Sequence, residues 1–126
     1  MRWFTSNKTK ADGRRHYSED LALKYLKRRG LKLLMRNYYS RHGEIDLIMQ
    51  DKDTLVFVEV RYRKSDDYGG AVESIDRHKQ SRIANTAESY LQAHPWDGPC
   101  RFDIVAIQGE AKPQWIVGAF DGPQET

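Results

Sequence analysis

The sequence predicts a single α/β domain in the order helix, three strands, helix, two strands. Three observations carry this expectation. Two segments repeat apolar residues at helical spacing, and five short β-rich apolar runs are distributed around them. The chain has 126 residues, enough for one domain to bury a core without staples. Its single cysteine, Cys100, permits no intrachain disulfide and no zinc cluster of cysteines, which fits a reducing compartment.

Residues 1–12 are polar and without pattern, and are expected to form a flexible basic arm ahead of a domain spanning 13–126. The first helix is predicted over 13–29, because Ala22, Tyr25, Leu26 and Arg29 recur at spacings of three and four and Gly30 supplies a stop. Glu19 lies three residues before Ala22 and seven before Leu26, so an acid is in line with the apolar stripe. Residues 31–41 read as the first strand. The segment from 43 to 64, GEIDLIMQDKDTLVFVEVRYRK, reads as a hairpin turning at Asp51-Lys52-Asp53-Thr54. Residues 65–74 contain DDYGG and read as a mobile loop. A second helix is predicted over 76–94, with Ile83, Ala87, Tyr90 and Leu91 on its apolar face and Pro95 closing it. Two strands, 101–108 and 114–121, follow around a turn at 109–113. In the last of them, Trp115, Ile116, Val117 and Phe120 suit either a core strand or a dimer edge.

The hairpin holds the chemistry. With its polar group as the turn, Met49 faces Val56, Leu47 faces Val58, and Asp46 faces Glu59. Alternation places Ile45, Leu47, Met49, Val56, Val58 and Val60 on one side. Glu44, Asp46, Glu59 and Arg61 share the other with Ile48 and Phe57. Like charges directly opposite one another destabilise a strand pair. Ile48 and Phe57 require cover from a helix, and covered acids require partners. A hard divalent cation such as Mg²⁺ is such a partner, since it takes oxygen ligands and is held by one or two carboxylates. In the same register Glu44 faces Arg61, an ordinary ion pair.

Charge is distributed unevenly along the chain. Residues 1–41 hold 12 Lys and Arg against 3 Asp and Glu, although the net charge of the whole chain is only +3. A basic head of this kind points to a polyanionic partner. The first ten residues, MRWFTSNKTK, lack the apolar core of a secretory signal, and no run approaches a membrane span. A cytoplasmic protein without a membrane association is expected.

Taken in order, GRRHYSEDLALKYL, GEIDLI, FVEVRYR, YGGAVESIDRHKQSRIANTAESYL and RFDIVAI resemble the YraN family of small uncharacterised bacterial proteins. The resemblance covers nearly the whole chain from Gly13. That family is similar to Holliday-junction resolvases and, through them, to the restriction-endonuclease-like nucleases, whose signature is an acid, a spacer, and then Glu-x-Lys on the next strand. The resemblance implies a central mixed β-sheet flanked by helices. It also implies a Mg²⁺ or Mn²⁺ site formed by Asp46, Glu59, the carbonyl of Val60 and the helical acid Glu19. Glu44, Lys79 and Gln80 would support that site.

The departure is Arg61, which stands where those nucleases carry lysine. An arginine keeps its charge and cannot act as a base, but it can stabilise charge on a phosphoryl group. The implied activity is metal-dependent phosphodiester hydrolysis on structured or branched nucleic acid, DNA rather than RNA, by a protein that can pair with itself. Arg14, Arg15, Arg41, Arg63 and Lys64 would contact phosphates, and Trp3, Phe4 and Tyr17 would stack on exposed bases. Two alternatives stay open at this level: a nucleic-acid-binding module of the same fold without turnover, and a protein-interaction adaptor.

Overall fold

The computed structural model describes residues 10–63 and 75–121, with side chains from 16 to 62 and from 75 to 121. The elements are α1 (Lys10–Arg28), β1 (Lys32–Ser40), β2 (Gly43–Asp51), β3 (Thr54–Arg63), α2 (Arg77–Ala93), β4 (Cys100–Gln108) and β5 (Gln114–Phe120). Helix α1 begins at Lys10, inside the segment expected to be an arm. The expected loop at 65–74 lies outside the described residues, as do Lys64 and the side chains of Arg14, Arg15 and Arg63.

The five strands form one mixed sheet in the order β1-β2-β3-β4-β5. Only β3 and β4 run parallel. A parallel neighbour cannot be reached by a tight turn, and α2 lies in the crossover between the two. The helices cover opposite faces. Ala22 and Leu26 of α1 pack with Leu47, Met49, Val56, Val58, Val105 and Ile107. Ile83, Ala84, Ala87 and Tyr90 of α2 pack with Ile48, Leu55, Phe57, Phe102, Ile104 and Ala106. The central strands are therefore buried on both sides, which is why VFVEV and FDIVAI read as nearly continuous apolar runs.

Both helices end as their sequences require. Gly30, at φ 96°, donates its N–H to the Lys27 carbonyl at 3.0 Å, and Leu31 donates to the Leu26 carbonyl at 3.2 Å. This is a Schellman closure, with Leu31 and Leu26 buried in one cluster. Arg29 continues the predicted stripe in sequence only: it is exposed, with its guanidinium 4.0 Å from the centre of the Tyr25 ring. Asp76 caps α2 by accepting the Lys79 N–H at 2.8 Å, which fixes Lys79 in the first turn.

The β2–β3 register is the expected one from Asp51↔Thr54 through Met49↔Val56 to Leu47↔Val58. Lys52 adopts φ 58° in the turn. Ile45 departs from expectation, because it packs with Ile48 and Phe57 under α2 rather than with Leu47 and Met49. The physical reason lies beside it. Asn37 of β1 is left-handed at φ 51°, and the β1–β2 partners pass from Arg36↔Leu47 to Tyr38↔Ile45 around it. Strict alternation breaks at Asp46, between Ile45 and Leu47.

Strand β5 is an edge with mixed exposure. Trp115, Ile116 and Phe120 pack against the two clusters, while Val117 is exposed. The fully buried Asp103 of β4 holds this edge. It accepts hydrogen bonds from Arg101 Nε at 3.0 Å, from Trp115 Nε1 at 2.9 Å and from the Gly118 N–H at 2.9 Å.

Candidate metal centre

The site forms where β2 and β3 separate at one end of the sheet, between α1 and the first turns of α2. Asp46 is 6 % exposed, Glu59 is 7 % and Glu19 is fully buried. Glu19 is carried by the α1 stripe, one turn ahead of Ala22, so the line of residues that packs the helix also delivers an acid to the sheet. A pocket of about 360 Å³ opens here, lined by Glu44, Asp46, Glu59, Val60, Arg61 and Lys79, among others.

The four acids divide into two groups. One carboxylate oxygen each from Glu19, Glu44 and Asp46 lies within 4.8 Å of the others. Asn37 bridges two of them: its Nδ2 donates to Glu44 Oε2 at 2.8 Å and to Glu19 Oε1 at 3.1 Å. Arg36 reaches Glu19 at 3.5 Å and Asp20 at 2.9 Å. Glu59 stands beside this triad and has cations of its own, with Lys79 Nζ at 3.4 Å and Arg61 Nη1 at 3.8 Å. The sequence assigned a cation as partner to the Asp46–Glu59 pair and set Arg61 opposite Glu44; in the structure Lys79 and Arg61 also reach Glu59.

Asp46 joins the two groups. Its Oδ2 accepts the Val60 N–H at 2.8 Å, one step beyond the last β2–β3 partners. Burial, and then the charge of Glu59, push its carboxyl well above the usual range, with Glu44 and Glu19 adding to the rise and the Val60 N–H opposing it. Burial also raises Glu59, while Lys79 and Arg61 pull it back. A cation held among these oxygens would remove the cost that raises Asp46. The donor set suits a hard ion: three carboxylates in close reach, and no cysteine or histidine in the triad.

Other expected residues lie elsewhere. Gln80 turns its amide to the Ile75 carbonyl at 3.0 Å and does not line the pocket. Arg41 is exposed in the turn after β1, and Tyr17 is exposed on α1. Sequence reasoning missed Asn37 and Arg36. Asn37 had a visible signal, a strand-disfavoured residue inside the run LKLLMRNYYS. Among the described residues no helix is long and apolar enough to cross a membrane.

The comparisons with known proteins agree on kinship. The model of "Uncharacterised protein family UPF0102" matches residues 18–107, from the helix that carries Glu19 to the end of β4. The chain is 52 % identical over 104 residues to a UPF0102 protein of Psychromonas ingrahamii, covering 82 % of this chain and 85 % of that one. It is 53 % identical over 106 residues to a UPF0102 protein of Nitrosomonas europaea, covering 82 % and 90 %. A UPF0102 protein of Pseudomonas syringae is 48 % identical over 110 residues, covering 82 % and 89 %. By the family match and by these relatives, the chain belongs to the uncharacterised protein family UPF0102, the YraN family that its motifs resemble.

Proposed function

We propose that this protein is a divalent-metal-dependent nuclease that hydrolyses phosphodiesters in structured or branched nucleic acid, DNA in preference to RNA, in the cytoplasm. The observation that carries the reading is the triad Glu19, Glu44 and Asp46, of which Glu44 and Asp46 line a pocket together with Glu59, Lys79 and Arg61. Mg²⁺ or Mn²⁺ bound there would supply a water of lowered pKa and a Lewis acid for a phosphoryl oxygen.

Each residue has a place in this reading. Asp46, Glu19 and Glu44 would hold the ion, and Glu59 and the Val60 carbonyl would add further oxygen ligands. Asn37 spaces Glu19 and Glu44. Arg61, beside Glu59, neutralises charge developing on the phosphoryl group. The amine that is missing at position 61 comes from α2, because the Asp76 cap fixes the turn from which Lys79 reaches Glu59. Lys79 then orients Glu59 and the attacking water. Pairing of two copies, expected of resolvase-like proteins, belongs to the same reading, with β1 and β5 as the edge strands.

The test is cleavage of labelled junction and flap substrates by nuclease-free protein in Mn²⁺. Wild type should cut and Asp46→Asn should not. Arg61 favours one second reading, a binding module without turnover, which predicts retained affinity for the same substrates and no cutting by either protein.

A further inference from the structure

We propose that Arg82 is a phosphate-binding residue of the carboxylate pocket. Its guanidinium fork would take the phosphate that neighbours the scissile one on the same nucleic-acid strand. This inference rests on the nuclease reading and adds to it a substrate-binding residue and the wall of the pocket along which the strand runs.

Among the described residues, three cations line the pocket: Arg61, Lys79 and Arg82. Two of them are engaged by an acid, since Lys79 Nζ lies 3.4 Å and Arg61 Nη1 lies 3.8 Å from Glu59. Arg82 is placed differently. Its Nε donates to the His42 carbonyl at 3.1 Å, while its terminal nitrogens have neither a carboxylate nor another hydrogen-bond partner among the described residues. The residue is exposed, so those donors are open to a ligand. A planar fork of N–H groups matches two oxygens of a phosphate, and a guanidinium keeps its charge.

The guanidinium is also held in place. A Cβ added at Gly43 would lie 3.6 Å from Arg82 Nε, Arg82 Nη2 and Thr86 Oγ1, so the fork packs along bare backbone one residue ahead of Glu44 of the triad. Gly43 is at φ 150°, a conformation that favours glycine. Thr86 Oγ1 in turn donates to the Arg82 carbonyl at 2.8 Å. A side chain anchored in this way loses less order on binding than a free one. Its direction separates it from the reacting centre. Lys79 leans toward Glu59 of β3, whereas Arg82, three residues later in α2, leans toward the turn between β1 and β2. The two cations therefore reach different walls of the pocket. A phosphate held on Arg82 would fix the register of the strand without reading its sequence.

The test is fluorescence anisotropy of a labelled DNA junction bound to the full chain in Ca²⁺ across a salt series, followed by kinetics in Mn²⁺. Arg82→Gln should weaken binding about tenfold and flatten the plot of log affinity against log salt by about 0.9, one duplex phosphate contact. Arg82→Lys should keep the slope and lose part of the affinity, because the charge remains and the fork does not. Lys52→Gln, in the turn at the opposite end of the β2–β3 hairpin, should match wild type in both. In Mn²⁺, Arg82→Gln should lower kcat/KM on the junction about tenfold and leave turnover of bis(4-nitrophenyl) phosphate, a diester with a single phosphate, at the wild-type rate. A slope unchanged by Arg82→Gln, or flattened as much by Lys52→Gln, would overturn the assignment, and junction cutting by wild type would leave the nuclease reading standing. Equal losses by Arg82→Gln on both substrates would put Arg82 on the reacting phosphate and overturn the assignment as well. A junction bound with the expected Arg82 effects and never cut would uphold the phosphate contact and overturn the nuclease reading. Wild type that fails to bind the junction at low salt would overturn both.

Discussion

The carboxylate of Asp46 accepts the backbone N–H of Val60 at 2.8 Å, at the point where the partners of β2 and β3 end. A side chain thus takes up a donor where the β2–β3 pairing stops, and in doing so it is held inside the protein among three other acids. The N–H stabilises its charge, while burial and the acids oppose it.

That balance predicts a pH dependence. Asp46 and Glu59 both have folded-state pKa values above those of the unfolded chain. Between the ordinary carboxylate pKa and the raised one, the folded protein binds protons that the unfolded chain has released, so stability falls as pH rises through this window. In chelator, wild type should gain stability as pH is lowered from neutral toward the ordinary carboxylate range. Asp46→Asn should lose most of that gain. With Mn²⁺ present the trend should reverse, because protons compete with the ion for the same oxygens. Urea unfolding at a series of pH values in both buffers checks it.

Asn37 should matter in two separable ways. Its left-handed backbone costs alanine about 1–2 kcal/mol, and its amide donates to two acids of the triad. Asn37→Ala should destabilise the protein by about 2–4 kcal/mol. Asn37→Gly should recover the backbone part and none of the hydrogen bonding. Both variants should bind Mn²⁺ about tenfold more weakly by calorimetry, since the residue that spaces the ligands is gone. Equal metal affinity in both variants and wild type would remove Asn37 from the site.

The position of Lys79 predicts which cation would serve the proposed reaction. Lys79→Met should reduce Mn²⁺-dependent cleavage about a hundredfold. Arg61→Lys in that background should restore part of it, because a lysine again stands beside Glu59. Single-turnover rates on a junction substrate decide this, and a double variant no faster than Lys79→Met would contradict the assignment.

How much of this was legible in the sequence follows from what each feature depends on. The β2–β3 register could be read because a polar turn and alternating apolar residues fix strand pairing locally. The C-terminal ends of both helices could be read because Gly30 and Pro95 act on their own neighbours. Glu19 could be read as facing inward from helical spacing alone. The grouping of the acids could not. Glu44 joins Glu19 because Asn37, left-handed in β1, donates to both, and Lys79 reaches Glu59 because α2 lies over the sheet beside β2. Both depend on the path of the chain between distant elements, which periodicity does not encode. Ile45 was misplaced for the same reason: a period of two assumes an unbroken strand.

The central claim is that these acids are arranged for a metal ion, and thermal melts of wild type and Asp46→Asn in chelator and in excess Mn²⁺ test it most directly. The substitution keeps the shape of the side chain and removes one charge from a site that disfavours it, so in chelator the variant should be at least as stable as wild type. In Mn²⁺ the order should reverse. An ion that binds only the folded protein stabilises it by about 2.7 kcal/mol at a hundredfold excess over Kd, and the variant has lost the ligand that joins the two groups of acids. Wild type more stable than Asp46→Asn only when Mn²⁺ is present is the predicted result. An equal loss of stability by the variant in both buffers would make Asp46 a structural acid and contradict the metal centre.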